Sequence, residues 1–347
     1  MKSIRRKRIA FFEIEDWERE ELQKALGVHE LAFFHGVVDS QAIKRIHDAE
    51  ILSVFIHSQL TADVIDQLPS LGMVATRSTG YNHVDLEACN ARGIVVSNVP
   101  YYGENTVAEH TFGLMLSISR NIHKAYLRTA RGDFSLEGLQ GFDLKDKTLG
   151  VVGAGAIGLH VIRIAKGFGM RVVAYDPKQN RLLAEVLGFQ YVPFDELLRV
   201  SDIISLHAPL TPRTYHMINK DNIRQIKRGA ILINTARGGL VDTQALIAAL
   251  DEGILAGAGL DVLEGEELIK EEKQLLGAPA TEESLRMLLV HHVLMRRENV
   301  VITPHIAFYS REALHRIVEV TIANINAYIE GKPQNVVNQP QLKKVAA

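Results

Sequence analysis

The sequence predicts an α/β protein built from doubly wound parallel sheets, and three observations carry that prediction. Short apolar runs alternate with amphipathic stretches along most of the chain. One such run, residues 148–152, passes directly into Gly-x-Gly-x-x-Gly at residues 153–158 and then into a helical pattern. Polar and ionisable residues gather just after the apolar runs, where sheets of this kind bind their ligands. The 347 residues correspond to two domains at roughly 150 residues each.

In the first alternating series, strands are expected at residues 8–12, 51–56, 74–77 and 94–97. Between them, residues 61–68 carry Val64, Ile65 and Leu68 at helical spacing. A long helix is expected to begin near Thr106, where Thr106-x-x-Glu109 fits a capping box. Its buried side is expected to hold Val107, Leu114, Met115, Ile118 and Ile122. In the second series, strands are expected at 148–152, 171–175, 203–207, 231–234, 258–261 and 300–303. A final helix over about 310–330 places Leu314, Ile317, Val318, Ile325 and Ile329 on one face, and Gly331 and Pro333 end it.

Composition excludes several classes of protein. With 47% hydrophobic and 23% charged residues, the chain is neither collagenous nor low-complexity. Lys+Arg number 39 against Asp+Glu 41, so no global basic field recruits nucleic acid. No apolar run approaches the ~18 residues of a membrane span, so no membrane partner is expected. A single cysteine, Cys89, leaves no internal disulfide and no CxxC site. The basic residues 1–8 precede only Ile9-Ala-Phe-Phe12, too short an apolar stretch for a signal peptide. They read as the lead into a first strand, and the expected location is cytoplasmic.

The glycine motif carries the cofactor signal. Gly153 permits the tight turn, Gly155 lets the backbone approach a pyrophosphate, and Gly158 lets helix and strand pack closely. The helix that follows offers free N–H groups and a positive dipole end to that anion. The second strand ends in Asp176, whose carboxylate can accept hydrogen bonds from both ribose hydroxyls and would repel a 2′-phosphate. NAD is therefore expected over NADP, with Lys178 and Arg181 the only cations close by.

The remaining strand ends supply His207-Ala-Pro209, Thr235-Ala-Arg237, Asp261 and His305, followed after Asp261 by Glu264 and Glu266. Hydride transfer to a keto acid requires a proton donor, a carboxylate to orient it and a cation for the anionic substrate. Histidine titrates near neutrality, at ~6.5, which suits proton exchange. Arginine pairs with a carboxylate through two parallel hydrogen bonds, as lysine cannot. Each residue alone has an ordinary structural explanation, and His207 before Pro209 reads as lining the cleft or satisfying backbone groups. Their joint placement at strand ends is what favours chemistry.

These residues resemble the D-isomer-specific 2-hydroxyacid dehydrogenases. The resemblance runs from about residue 50 to 338 and rests on residues 153–158, Ser-Leu-His-Ala-Pro (205–209), Asn-Thr-Ala-Arg-Gly-Gly (234–239), Gly-Leu-Asp-Val (259–262) and Thr-Pro-His (303–305). Residues 77–85, 98–102 and 303–309 look most like the D-lactate branch of that family. The resemblance implies a Rossmann NAD-binding domain, residues 105–307, inserted in a flavodoxin-like substrate domain, residues 1–104 and 308–347. It implies Arg237, Glu266 and His305 as the catalytic set, with Arg237 on the substrate carboxylate and Glu266 orienting the proton donor His305. Ala156 and Ile157 would contact the pyrophosphate beside the three glycines, and Asp176 would hold the ribose. Ala208, Pro209, Thr214, Thr235, Ala236, Arg237 and Asp261 would line the cofactor. Ser78, Thr79, Gly80 and Tyr102 would contact the substrate. A homodimer through the 105–123 helix and its neighbours is implied as well.

The chain departs from the D-lactate pattern at two places. His57 stands where an aromatic residue, often tyrosine, is common, which bears on pocket size and polarity. Residues 266–300 are longer than in many relatives and contain Lys270, Lys273, Ala278-Pro279 and the pair His291-His292. No acid or cysteine stands beside that pair at ligand spacing, so the segment reads as a helix-and-loop insertion with no metal. Pyruvate reduction to D-lactate is the leading reading. Reduction of glyoxylate, hydroxypyruvate or branched 2-keto acids uses the same residues, and an NAD-sensing corepressor-like scaffold is the reading from another class.

Overall fold

The computed structural model describes residues 5–266 and 282–340. The chain divides into two compact units, Met1–Tyr102 with Ser310–Ala347, and Gly103–Tyr309. Among the described residues no helix is long and apolar enough to cross a membrane.

The first unit holds β1 (Arg8–Phe11), α1 (Asp16–Leu26), β2 (Glu30–Phe33), α2 (Ser40–Arg45), β3 (Ile51–Val54), α3 (Ala62–Asp66), β4 (Met73–Thr76), α4 (Leu86–Arg92) and β5 (Val95–Ser97), and the C-terminal helix Arg311–Ile329 joins it. Its strands are all parallel in the order β2-β1-β3-β4-β5, the flavodoxin-like arrangement. Alternate residues face opposite layers. Ile9, Phe11, Ile51 and Met73 pack with Leu22, Leu26, Val318 and Ile325, while Ala10, Leu52, Val54 and Val74 pack with Ile43, Ile65, Leu68 and Cys89. Burial on both faces is why these strands read as continuous apolar runs.

The second unit holds α5 (Glu104–Ser119), α6 (Ile122–Thr129), β6 (Thr148–Val152), α7 (Ala156–Gly167), β7 (Arg171–Tyr175), α8 (Arg181–Leu187), β8 (Gln190–Tyr191), α9 (Phe194–Val200), β9 (Ile203–Leu206), β10 (Ala230–Asn234), α10 (Thr243–Asp251), β11 (Leu255–Leu260), α11 (Glu282–Met295) and β12 (Val300–Ile302). The parallel sheet runs β12-β11-β10-β9-β6-β7-β8, so the order reverses beside β6, the Rossmann switch point.

Several expectations need correction. Two edge strands, β2 and β8, have no counterpart in the sequence reading; β2 is exposed to half-buried throughout and β8 has two residues. β3 stops at Val54 rather than at residue 56 because the Glu13 carboxylate takes the next amides, Phe55 at 3.0 Å, His57 at 2.8 Å and Ser58 at 3.2 Å. The long helix starts at Glu104 with Gly103 as its N-cap, and Thr106 is buried inside the first turn rather than capping it. It ends at Ser119, because Asn121 adopts φ +52°, and Ile122 opens a separate helix on which it is exposed. His291 and His292 do lie on a helix, α11; Lys270, Lys273 and Ala278-Pro279 lie outside the described residues.

Arg77, next to the predicted substrate loop, is the largest fully buried side chain. Its guanidinium donates to the carbonyls of Phe12 at 2.8 Å and Glu13 at 2.7 Å and pairs with Glu18 of α1 at 3.4 Å. Burial raises the Glu18 carboxyl above its ordinary pKa, against the opposing pull of Arg77. Removing one partner of such a pair strands the other charge in low dielectric. Arg77→Ala, which leaves the Phe12 and Glu13 carbonyls without their donor and a cavity in place of a buried side chain, is therefore expected to cost about 3 kcal/mol in urea unfolding; a cost below about 1 kcal/mol, the scale of an exposed pair, would contradict the assignment.

Candidate active site

At the switch point the chain turns on glycines. Gly153 has φ +95°, and a Cβ there would lie 2.7 Å from the carbonyl of His207. A Cβ on Gly158 would lie 2.0 Å from the carbonyl oxygen of Gly153. Gly155 differs: a Cβ would meet nothing within 4 Å, so the chain's own packing does not require glycine there. That residue is the N-cap of α7 and brings no side-chain acceptor, so Ala156, Ile157 and Gly158 open the helix without a side-chain cap. The Asp176 carboxylate, just after β7, accepts the Ala154 amide at 2.9 Å and the Lys178 amide at 2.7 Å. It is thereby fixed beside the glycine turn, with lone pairs on both oxygens left for hydroxyl donors. Open backbone donors, a cradle that a Cβ would fill and a fixed acid suit a dinucleotide.

The loop after β9 forms the next wall. His207 donates its amide to Val152 at 2.7 Å and hydrogen-bonds Ser205 through Nε2 at 2.8 Å. Desolvation pushes its pKa down to about 3, so the imidazole is neutral and is no proton donor near pH 7. Ala208 is buried and Pro209 exposed, and the Thr214 hydroxyl donates to the Pro209 carbonyl at 2.6 Å to close the loop.

Beyond β10, buried Asn234 builds the turn that carries Arg237. Its Nδ2 donates to the Arg237 carbonyl at 2.9 Å and its Oδ1 accepts the Ala236 amide at 3.1 Å. Thr235 shares a hydrogen bond of 2.9 Å with Thr111 of α5. A Cβ on Gly238 would lie 2.0 Å from the carbonyl carbon of Leu263 and 2.3 Å from the Glu264 nitrogen, so the Arg237 turn rests directly on the 263–266 turn.

Beyond β11 and β12, one carboxylate organises the chain. Asp261 is 1% exposed and accepts the Thr303 hydroxyl at 2.6 Å and the amides of Ile306 and Ala307, each at 2.9 Å. His110 of α5 stands 3.4 Å away and, because the Thr303 proton goes to Asp261, donates Nε2–H to the Thr303 oxygen at 3.0 Å. Burial alone would raise the Asp261 pKa, but these bonds hold it below the ordinary carboxylate range. The Asp261 carbonyl accepts the His305 amide at 2.8 Å. His305 thereby sits at φ +56°, a left-handed conformation that a non-glycine residue enters only when its surroundings impose it. Its Nδ1 lies 2.5 Å from Oε1 of Glu266, whose Oε2 accepts the Leu263 amide at 3.3 Å. With Nδ1–H given to the carboxylate, Nε2 is the ring nitrogen left to meet a ligand.

The structure thus brings Glu266 to His305 and the Arg237 turn to the Glu266 turn. Of two residues that hold these turns, Asn234 entered the sequence reading only as the start of the 234–239 motif, without a role, and His110 did not enter it; Asn234 at the end of a strand was the available signal. Ser78, Thr79, Gly80 and Tyr102 belong to the first unit. There Thr79 donates to the Val99 carbonyl at 2.8 Å, Ser78 to the Gly80 carbonyl at 2.6 Å, and the Tyr102 carbonyl accepts from Arg316 at 2.6 Å.

Residues 112–307 match the sequence model described as D-isomer specific 2-hydroxyacid dehydrogenase, NAD binding domain. The chain belongs to the D-isomer specific 2-hydroxyacid dehydrogenases. It is an oxidoreductase, and its cofactor is NAD. It is 38% identical to D-lactate dehydrogenase of Escherichia coli, over 94% of this chain and 98% of that one. It is also 38% identical to a glyoxylate reductase of Korarchaeum cryptofilum, over 87% and 86%. Among solved structures, D-lactate dehydrogenase from Aquifex aeolicus, complexed with NAD and lactic acid, matches with a TM-score of 0.82 at 38% identity, over 93% of this chain and 96% of that one.

In this dehydrogenase the contact at Gly238 offers a direct probe. Gly238→Ala must displace the Arg237 turn from the 263–266 turn, and a shift of about 1 Å costs roughly 10²-fold in rate. Its kcat/KM for keto-acid reduction is expected to fall by about that factor. Wild-type kcat/KM would contradict the close contact.

Proposed function

We propose that the chain reduces pyruvate to D-lactate, with Arg237, Glu266 and His305 as its catalytic residues. The observation that carries the reading is the 2.5 Å contact between His305 Nδ1 and Glu266. The glycine turn and Asp176 would hold NADH, which would supply the hydride. His305 delivers its Nε2 proton to the carbonyl oxygen of the substrate, and Glu266 stabilises the imidazolium before transfer. Arg237 pairs with the substrate carboxylate and polarises its carbonyl. Ser78, Thr79, Gly80 and Tyr102 contribute substrate contacts in the same reading, and Ala208, Pro209, Thr214, Thr235 and Ala236 cofactor contacts. Two neighbours named for D-lactate dehydrogenase support pyruvate as the substrate. Glyoxylate is the second reading, supported by the glyoxylate reductase relative and by His57 in place of an aromatic residue.

The test follows NADH absorbance with pyruvate, glyoxylate, hydroxypyruvate and 2-ketoisocaproate. Pyruvate is expected to be turned over fastest, and D-lactate but not L-lactate to be oxidised in reverse. Faster turnover of glyoxylate would favour the second reading. His305→Ala should lower kcat by about 10²–10⁴-fold with NADH binding intact; near-full activity would overturn its role.

A homodimer is part of the same proposal. Exposed apolar side chains gather on α6 and the segment after it, with Tyr126 72%, Phe134 77% and Leu136 84% exposed, as suits a covered face between two copies. Sedimentation should give twice the chain mass for the wild type and the single mass for Tyr126→Glu/Leu136→Glu; an unchanged double mutant would place the interface elsewhere.

A further inference from the structure

Glu266 has a neighbour of the same charge, Glu264, with an arrangement unlike that of a solvated loop acid. Its side chain is 14% exposed. Oε1 accepts from His216 Nε2 at 2.5 Å and from the Tyr215 hydroxyl at 3.1 Å, and Oε2 accepts the Thr243 hydroxyl at 2.9 Å. These partners come from two different segments. Tyr215 and His216 belong to the loop that begins with Ala208-Pro209, and Thr243 opens α10 just past the Arg237 turn. His216 reaches the carboxylate from φ +49°, a left-handed strain held by its amide on the Gly239 carbonyl at 2.8 Å.

The backbone of Glu264 is fixed from two further sides. Its nitrogen and the Leu263 carbonyl before it are the atoms against which Gly238 packs. Its carbonyl oxygen accepts from Nε2 of His291 at 2.8 Å. His291, on α11, is fully buried, and its Nδ1 has no hydrogen-bond partner among the described residues. Donation to a carbonyl requires the proton on Nε2, so the geometry selects the neutral Nε2–H tautomer, and burial favours the neutral form. The cofactor loop, the Arg237 turn and α11 therefore meet on one residue, two positions before the carboxylate that contacts His305.

We propose that Glu264 is a positioning residue of the reaction, setting Glu266 against His305 and seating the Arg237 turn, with His291 as the lock on its backbone. The proposal rests on the reading of Arg237, Glu266 and His305 as the catalytic set. Glu264 touches none of the reacting atoms; it acts by fixing the turn that carries one of them. A carboxylate loosened from the imidazole no longer holds Nδ1, so loss of Glu264 and loss of the Glu266 carboxylate should change the pH profile of keto-acid reduction in the same direction.

The experiment compares Glu264→Ala, Glu264→Gln and Glu266→Gln with the wild type, recording kcat, KM, NADH affinity, melting temperature and the pH profile. Glu264→Ala is expected to lower kcat by about 10²-fold and to shift the pH profile in the direction that Glu266→Gln shifts it. Glu264→Gln, which keeps an acceptor oxygen for His216 and Tyr215, is expected to restore most of the rate. A Glu264→Ala enzyme that melts earlier but keeps the wild-type kcat and profile, while Glu266→Gln is impaired, overturns this proposal alone. If Glu266→Gln itself is unimpaired, the catalytic reading falls and takes the proposal with it. Should Glu264→Ala fail to fold, His291 supplies the same decision. His291→Gln retains an amide donor at the reach of Nε2 and should keep its rate and profile, whereas His291→Leu should lose rate and shift the pH profile; equal behaviour of the two overturns the proposal.

Discussion

The interaction on which the rest depends is the buried carboxylate of Asp261. A charge at 1% exposure is costly unless it is fully hydrogen-bonded, and here the donors are the residues on either side of His305. The loop after β12 thus cannot relax without uncovering a charge, and that penalty holds His305 at a positive φ. Because those bonds depress the Asp261 pKa, the stabilisation is complete at neutral pH and above the unfolded carboxylate value. It is lost only as pH falls through the folded value.

Parallel strands bring the other parts to the same end of the second unit's sheet. Gly153, Asp176, His207, Arg237, Asp261 and His305 each follow the carboxyl end of a strand, so one constraint of topology gathers the glycine turn, the Arg237 turn and the His305 imidazole. Glycine then sets how closely the loops approach. Gly153 and Gly158 are required by the chain's own backbone and Gly238 by the neighbouring turn, whereas a Cβ on Gly155 would meet only space that the chain itself leaves open. The last of these connects the sequence motif to dinucleotide binding.

Much of this was legible in the sequence, and the parts that were not have physical reasons. Central strands announce themselves because both faces are buried, as at Ile51 and Leu52 or Ile231 and Leu232. The edge strands β2 and β8 carry no such signal. Helix ends were misread where tertiary demands overrode local chemistry: Thr106 has capping chemistry, yet it is buried two residues into the helix. Strand-end position was enough to nominate Arg237 and His305, with Glu264 and Glu266 in the loop after Asp261, and the family resemblance chose Glu266 between the two acids. What it could not show is how they are held, because Asn234, His110, Glu264 and His291 act through contacts between segments distant in sequence.

The central claim is that Glu266 and His305 act as one acid–base unit. A double-mutant cycle on kcat for keto-acid reduction tests it most directly, with Glu266→Gln, His305→Ala and the double variant assayed beside the wild type. Groups that act as a unit are strongly non-additive. The double variant is therefore predicted to be no slower than His305→Ala alone. Losses that multiply across the two sites would contradict the account, since they would mean that Glu266 contributes to the reaction without acting through His305.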